Sequence, residues 1–315
     1  MSSIEVRPFR RSDREQVTKL VNAHAGAVVP GVSVSVNSVL SQLEREPGEF
    51  IVDPWVSDRK TLVAQQRRRV VAAAHLLRYA AGEGVGESYR NAGEIRWFLF
   101  WPGAPYWPDS AEAAAALIAA CVEVFVVWDV GRQYADGALP APGVYGVPEQ
   151  WPHIMSAYEQ AGFTHNGHTE IVYMATAKDL ARPAEPPLAG MSVARSVGIN
   201  GTRLSAMLGD DVAGYIEVEM LEDSSRLARH SGWADIGNLC VAEQHRRRGI
   251  ATWLVGQAAD WLRLAGVERV LDYAWLEHED YRAFLAGQGF RELTRSKRGW
   301  SRTRFAANVS ASGER

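Results

Sequence analysis

Two segments of this 315-residue chain close in the same way, and a stretch hostile to both helix and sheet separates them. From Met155 the sequence runs MSAYEQAGFTHNGHTEIVYMA, and from Tyr281 it runs YRAFLAGQGFRELTRSKRGWSRTRF. Each reads as a short helix, then Gly-Phe, then strand material. Gly162 and Gly289 suit a helix C-cap in the left-handed region, and Phe163 and Phe290 would then fold back onto a core. Between the endings lies KDLARPAEPPLAG, Lys178 to Gly190, where prolines among small and charged residues resist regular structure. A repeated ending across such a divider implies duplication of one domain type. The expected layout is a first domain at 1–180, a linker at 181–189 and a second domain at 190–315. A composition that is 47% hydrophobic supplies a sizeable core.

The first half reads as a strand from Ile4 to Pro8, helices from Ser12 to about Ala27 and from Val36 to Arg45, and strands at Thr61–Gln65, Val70–Arg78 and Glu94–Trp101. A long helix follows from Asp109, which has capping-box spacing to Glu112. Strand material around Val144, the Gly-Phe helix and a strand at Glu170–Met174 complete it. The second half begins with strands at Met191–Arg195, Thr202–Leu208, Val212–Met220 and Ala234–Val241, with no helices between the first two. A helix from about Gly249 to Ala265, a strand at Arg269–Trp275, the second Gly-Phe helix and a strand near Trp300–Phe305 finish the chain.

The stretch NLCVAEQHRRRGIATWLV, Asn238 to Val255, places dense positive charge at a strand-to-helix turn. A helix N-terminus has unsatisfied N–H groups and partial positive charge, which suits an anion. Gly249 and Ala251 lack bulk, so a phosphate can approach the backbone, and arginines match phosphate oxygens in geometry. Neither a Gly-x-Gly-x-x-Gly fingerprint nor a Gly-Lys-Ser/Thr P-loop is present.

Arg246-x-x-Gly249-x-Ala251 after a strand ending in valine resembles motif A of the GNAT acetyltransferase superfamily. The order of elements extends the resemblance to both halves, in the manner of tandem GNAT enzymes such as mycothiol synthase. It implies an α+β fold of two GNAT-like domains, each a mixed, mostly antiparallel central sheet flanked by helices. It also implies acetyl-CoA as acyl-donor cosubstrate, without a metal. The pyrophosphate would lie on Arg246, Arg247, Arg248, Gly249, Ile250, Ala251 and Thr252, and the pantetheine arm along the backbone of a splayed strand at Leu239, Cys240 and Val241. The first half departs from the motif. After EIRWFLFW comes PGAPYWPDSAEAA, where Pro102, Pro105 and Pro108 lack the N–H donors a phosphate needs. The first half is therefore expected to have lost its cofactor site and to complete the acceptor pocket of the second.

Acyl transfer to an amine needs a base for the ammonium proton and an acid for the leaving thiolate. Asp235, eleven residues before Arg246, matches the strand position of a glutamate base in some family members. The family's tyrosine acid, four residues before the Gly of Gly-Phe, is replaced by Leu285, and its asparagine, six residues before that, by Glu279. Tyr281, one turn before Leu285, is the candidate acid. Tyr158 holds the family's position in the half without the motif and is expected to be a packing residue. Glu217 and Glu219 share a strand face, either attracting a cationic amine or forming a solvated edge. Trp97, Trp101, Tyr106 and Trp107 line an acceptor pocket or pack the core.

The expected activity is N-acetyltransferase, moving the acetyl group directly to a primary amine of a small molecule. The alternatives are a coenzyme-A-binding regulatory protein without turnover, and a nucleic-acid patch at Arg246–Arg248. A net charge of −3 and the absence of a second basic stripe argue against nucleic acid. Cys121 and Cys240, both in apolar stretches, are expected to be buried thiols of a reducing compartment. The N-terminus lacks a signal-peptide core, and the apolar run Ala111–Val130 reads as too short and too interrupted by Glu123 and Asp129 to span a bilayer. A cytoplasmic monomer or homodimer, with no membrane partner, is the resulting expectation.

Overall fold

The computed structural model describes residues 3–45, 55–102, 107–183, 185–221 and 232–303. The first half contains β1 (Glu5–Pro8), α1 (Arg14–Val28), α2 (Val36–Glu44), β2 (Val56–Gln66), β3 (Arg69–Tyr79), β4 (Ala92–Phe100), α3 (Ser110–Val127), β5 (Arg132–Tyr134), β6 (Val147–Pro148), α4 (Pro152–Gln160), β7 (Thr164–His165) and β8 (Thr169–Thr176). The second contains β9 (Met191–Gly198), β10 (Gly201–Leu208), β11 (Asp211–Met220), β12 (Trp233–Val241), α5 (Ile250–Leu264), β13 (Arg269–Trp275), α6 (Glu279–Gly287), β14 (Arg291–Lys297) and β15 (Trp300–Arg302). The helices follow their apolar periodicity: Val17, Leu20, Val21, Ala25 and Val28 form the buried stripe of α1. Ser35 caps α2 by accepting from the Ser38 N–H at 3.1 Å. Gly162 and Gly289 have φ of 83° and 92°, so both Gly-Phe turns use the left-handed cap, and Phe163 and Phe290 are buried behind them.

Two sheets result, ordered β1-β2-β3-β4-β5-β15-β7 and β6-β14-β8-β13-β12-β11-β10-β9. The halves exchange strands. In each sheet one slot lies between the parallel strand and the short strand after the Gly-Phe turn. In the first sheet β15, from the second half, fills it; in the second sheet β8, from the first half, does so. Trp300 is fully buried in the first core by this exchange, packing 5.8 Å from Tyr158. Arg298, at the crossover between β14 and β15, pairs with Asp136 and Glu170 of the first half. The segment at 181–189 thus divides the chain in sequence, while each sheet takes strands from both sides of it.

Several expectations change. The residues around Val144 are not a strand but the tip of a hairpin, closed by Gly146 N–H to Gly137 C=O at 2.7 Å and an Ala138–Tyr145 bridge. Asp109 makes no capping bond to α3; its carboxylate instead accepts from Gln66 Nε2 at 2.7 Å. Cys121 is buried, but Cys240 is exposed on β12. The α3 helix is 18 residues long and apolar enough by length and composition to cross a membrane, so length does not exclude a span. Here its face of Ala113, Ala114, Leu117, Ile118, Cys121 and Phe125 is buried against the first sheet. Pro105 and Tyr106 and the residues beyond Thr303 lie outside the described residues.

Candidate active site

β12 and β13 run parallel for only three pairs, Trp233↔Arg269, Ala234↔Val270 and Asp235↔Leu271. Beyond them β12 continues to Val241 against β11, and β13 continues to Trp275 against β8. The strands therefore splay apart at Asp235. Along the opening, the inner edge of Leu239, Cys240 and Val241 has no strand partner among the described residues, which leaves backbone donors and acceptors to a bound molecule. A bulge at Gly237 sharpens the divergence: Ile236 opposes Val218, and Asn238 opposes Glu217. A Cβ on Gly237 would lie 2.5 Å from Asn200 Cβ, so only glycine fits there. Behind the bulge, fully buried Glu217 accepts from Asn238 Nδ2 at 2.9 Å, Arg203 Nε at 2.8 Å and the Ile199 N–H at 3.2 Å. Those donors hold its carboxyl below the usual range against the opposing effect of burial. Glu217 is a brace for the β9–β10 turn, not part of a solvated edge and not a free base.

At the mouth of the splay the chain turns into α5. Arg247 and Gly249 both take left-handed backbone, φ 61° and 84°, and Gly249 is the N-cap with no side-chain cap bond. Alternating conformations of this kind aim successive N–H groups into one concavity. Arg246, Arg247 and Arg248 are exposed, with Arg246 Nε donating to the Val241 carbonyl at 3.2 Å. Ile250 is buried by its side chain, so its backbone alone faces the turn. The Thr252 hydroxyl accepts from Gln288 Nε2 at 3.2 Å. The linker crosses this helix: a Cβ on Gly249 would meet Pro187 at 3.4 Å, and one on Gly256 would meet the Ala181 carbonyl at 3.1 Å. An uncapped helix start, small residues and three exposed guanidiniums at the end of a splayed strand fit the pyrophosphate and arm of coenzyme A.

Asp235 stands at the vertex. Burial, and then the nearby Glu219 carboxylate, raise its carboxyl to about 7, and its Oδ1 is buried with no hydrogen-bond partner among the described residues. Its register partner Leu271 lies in the core shared with the first half. One residue on, Asp272 points to the opposite face. There its Oδ2 accepts from the Tyr281 hydroxyl at 2.8 Å and its Oδ1 from the Tyr273 N–H at 2.6 Å. Burial raises Asp272 to about 7 as well, and burial beside this carboxylate pushes the Tyr281 phenol well above its ordinary value. The structure thus joins Tyr281 to Asp272 and sets Asp235 on the other face. Asp272 was missed from sequence; its signal is an acidic residue inside the apolar run RVLDYAW. Leu285 is fully buried, and Tyr158 packs among Phe98, Phe163 and Trp300.

The first half repeats this geometry and fills it. β4 and β5 are parallel for three pairs ending at Glu94↔Tyr134, and a bulge follows two residues later at Arg96, matching Asp235 and Gly237 position for position. Glu94 is bonded by Tyr79 and lies 3.4 Å from Arg96. The hairpin at 137–146 then enters the splay. A Cβ on Gly137 would lie 2.0 Å from the Arg96 carbonyl, so backbone packs on backbone where a cofactor arm would run. At the α3 N-terminus the Asp109 carboxylate is held by Gln66 Nε2 at 2.7 Å and does not cap the helix. Trp97 is buried, donating to Gln42 at 2.7 Å, and Trp107 donates to Gln66; both serve packing.

The hairpin tip reaches the second half, where Tyr145 packs edge to face on Tyr273 with centroids 5.3 Å apart. Beside it lies a cavity of about 370 Å³ lined by α2, β2, β3, β4 and the hairpin from the first half and by Glu219, Met220 and Leu221 from the second. Glu219 is in register with Asp235, so the cavity opens beside the vertex.

The acetyltransferase (GNAT) family model matches residues 192–290. No curated protein sequence matches the chain. Among solved structures, a tandem GNAT protein from the clavulanic acid biosynthesis pathway aligns with a TM-score of 0.67 at 16% identity, covering 96% of this chain and 98% of that one. A GCN5-related N-acetyltransferase from Sphaerobacter thermophilus aligns at 0.61 and 14% identity, covering 95% and 94%. The GCN5-related glucosamine N-acetyltransferase region of a fungal multi-domain GH3 beta-N-acetylglucosaminidase aligns at 0.64 and 14% identity, covering 96% of this chain and 38% of that one. Residues 192–290 thus match the family's acetyltransferase domain, and the whole length has the tandem GNAT fold.

Proposed function

We propose that the protein is an acyl-CoA-dependent N-acyltransferase, using acetyl-CoA to acetylate a primary amine of a small molecule. The observation that carries this reading is Asp235: a buried carboxylate with an oxygen unbonded among the described residues, at the vertex of a splayed strand pair that leads to an arginine-rich helix start. Acetyl-CoA would supply an activated thioester. The backbone of Leu239–Val241 would hold its arm, and the turn from Arg246 to Thr252 its pyrophosphate. Asp235, with a carboxyl near 7, would take the proton of the attacking ammonium, directly or through one water. As the amine nitrogen bonds the acyl carbon and the carbon–sulfur bond breaks, the sulfur needs a proton. Tyr281 alone is a poor acid with so high a pKa, but Asp272 behind it is partly protonated near neutrality. When Asp272 is protonated the bond reverses, with Asp272 donating to the Tyr281 oxygen and the Tyr281 hydrogen turned to the sulfur; the Asp272 proton can then pass to that oxygen while the Tyr281 proton leaves, so the pair delivers one proton and Asp272 ends ionised. The partition between 1–180, 181–189 and 190–315 is then functional: cofactor on the second half, acceptor wall from the first.

One observation favours a second reading, a coenzyme-A-binding regulatory protein. Leu285 stands at the family's tyrosine position, and the hydroxyl of Tyr281 is already committed to Asp272. Calorimetry with acetyl-CoA, followed by thiol release with an amine panel against a blank without acceptor, separates the two. Binding with amine-dependent release supports the transferase. Binding without release under every amine leaves the regulatory reading, and no binding removes both.

A further inference from the structure

The hairpin at 137–146 does more than fill the first splay. Its tip is seated on the second half, on the face of β13 beside Asp235. A Cβ on Gly143 would lie 3.1 Å from Leu271 Cδ1 and 3.6 Å from Val172 Cγ1, and the Tyr145 ring packs on Tyr273. Leu271 is the register partner of Asp235, and Tyr273 follows two residues on, so these three side chains share one face. The base of the hairpin is anchored. Gly137 lies on the Arg96 carbonyl, and a Cβ on Gly146 would lie 2.7 Å from the Lys297 carbonyl. Arg298, paired with Asp136 and Glu170, stands 6.0 Å from the Tyr145 ring.

Under this cover Asp235 is 9% exposed, and its Oδ1 and the Tyr273 hydroxyl are both buried without a hydrogen-bond partner among the described residues. What covers them therefore excludes water without replacing its hydrogen bonds. The Tyr145 phenol senses the same carboxylate: burial, and then Asp235, raise it above its ordinary value. The titratable and charged groups around Asp235 are Glu219 from β11, Asp272 and Tyr273 from β13 and Tyr145 from the hairpin, with Arg96 on the cavity wall. Burial acts on Asp235 first and Glu219 second. Glu219 belongs to the second half, so the contribution of the first half is the cover. We infer that Tyr145 is a positioning residue for the base of the other half: its ring, held on the hairpin tip, keeps water from the Asp235 carboxylate and leaves the acceptor amine to answer it. This rests on the acyltransferase reading for its purpose, but its first readout needs no turnover. The hairpin that blocks its own half's splay thus shields the carboxylate of the other.

The test titrates the full chain by NMR, with carbon-13 at the aspartate carboxyls. The Asp235 signal is the one missing from Asp235→Asn, which separates it from Asp272. In the parent it should titrate at about 7. Tyr145→Ala admits water and should lower the midpoint by about 1 pH unit, with Glu219 holding part of the remaining shift. Tyr145→Phe keeps the ring and should titrate with the parent. Tyr145→Leu should fall between them, and it carries the test if Tyr145→Ala does not fold; thermal melts check each variant. With an amine that is turned over, the acidic limb of the kcat/KM profile should move down by the same amount in Tyr145→Ala. A merely structural loss would lower the profile without moving its limb. A parental midpoint near the ordinary aspartate value, a midpoint unmoved in Tyr145→Leu and Tyr145→Ala, or one moved as far in Tyr145→Phe as in Tyr145→Ala overturns the inference. So does a limb that stays in place while the midpoint moves. If the midpoint moves as expected and no amine is acetylated, the cover stands and the transferase reading falls. If an amine is acetylated and the midpoint does not move, the reverse holds.

Discussion

Replacing Asp235 by Asn should raise stability and lower activity together, and the opposition of the two effects separates a base from a brace. The carboxyl is moved from its ordinary 3.8 to about 7 by burial and by Glu219. At about 1.4 kcal/mol per pH unit, ionising it inside the fold costs about 4 kcal/mol. Below pH 4 both folded and unfolded chains hold the proton and the cost is absent. Between pH 4 and 7 the unfolded chain releases it first, so stability falls as pH rises; above pH 7 the whole cost is present. Asn escapes this cost but brings an amide whose own burial returns about 1–3 kcal/mol. The variant should therefore be more stable than the parent by about 1–3 kcal/mol at pH 8 and show no advantage at pH 4. Asp272 titrates in the same range, so the difference between the two denaturation profiles, rather than the parent's slope, isolates Asp235. In turnover, kcat/KM should drop by about 10²-fold, the lower end for general base catalysis where water can relay the proton. Activity should recover as pH approaches 10, where the acceptor amine arrives neutral. Urea denaturation and pH–rate profiles supply both readouts. A variant that is destabilised equally at pH 4 and 8, or one that keeps parental kcat/KM throughout, would refute the argument.

The remaining expectations concern the cofactor turn, the filled splay, the exchanged strands and the acid. Gly249→Trp puts an indole at φ 84° beside Pro187 and should abolish acetyl-CoA binding in calorimetry; unchanged affinity would remove the turn from the site. Gly137→Ala places a Cβ 2.0 Å from the Arg96 carbonyl and should cost about 3 kcal/mol in urea denaturation, with acetyl-CoA affinity retained in the folded fraction. A fragment of 187–315 lacks β8, leaving β13 and β14 unpaired on facing edges, and should be insoluble or without turnover; a soluble fragment at the full-length rate would refute the shared architecture. Tyr281→Phe removes a donor to the Asp272 carboxylate, so it should lower kcat less than Asp235→Asn does and shift the rate profile's inflection upward.

Periodicity and punctuation made most of the elements legible. The α1 stripe, the Gly-Phe turns and the strand before Arg246 are local signals, and each forms where its residues suggest. The strand exchange was not legible, because β8 and β15 carry no mark of which sheet receives them: burial pattern is the same in either slot. The hairpin at 137–146 read as strand material because Val144 and Tyr145 are apolar. What makes it a plug is Gly137 lying on the Arg96 backbone, a contact across 41 residues. Asp235 was legible by spacing to the motif, whereas Asp272 emerged only when α6 brought Tyr281 to it. Glu217 and Glu219 look equivalent in sequence, and only the β9–β10 turn distinguishes brace from cavity wall.

Glu94 and Asp235 occupy corresponding positions in the two halves. Both are carboxylates at the last parallel pair before a bulge. In the first half the bulge residue is Arg96, whose guanidinium approaches Glu94, and the hairpin closes the space beyond. In the second half the bulge residue is glycine, and the carboxylate has an oxygen with no partner among the described residues. Discarding the filled half would strip β8 from the second sheet and remove α2, Arg59, His75 and Arg96 from the cavity wall. The first half thus supplies the other with a closing strand and a wall of the cavity between them.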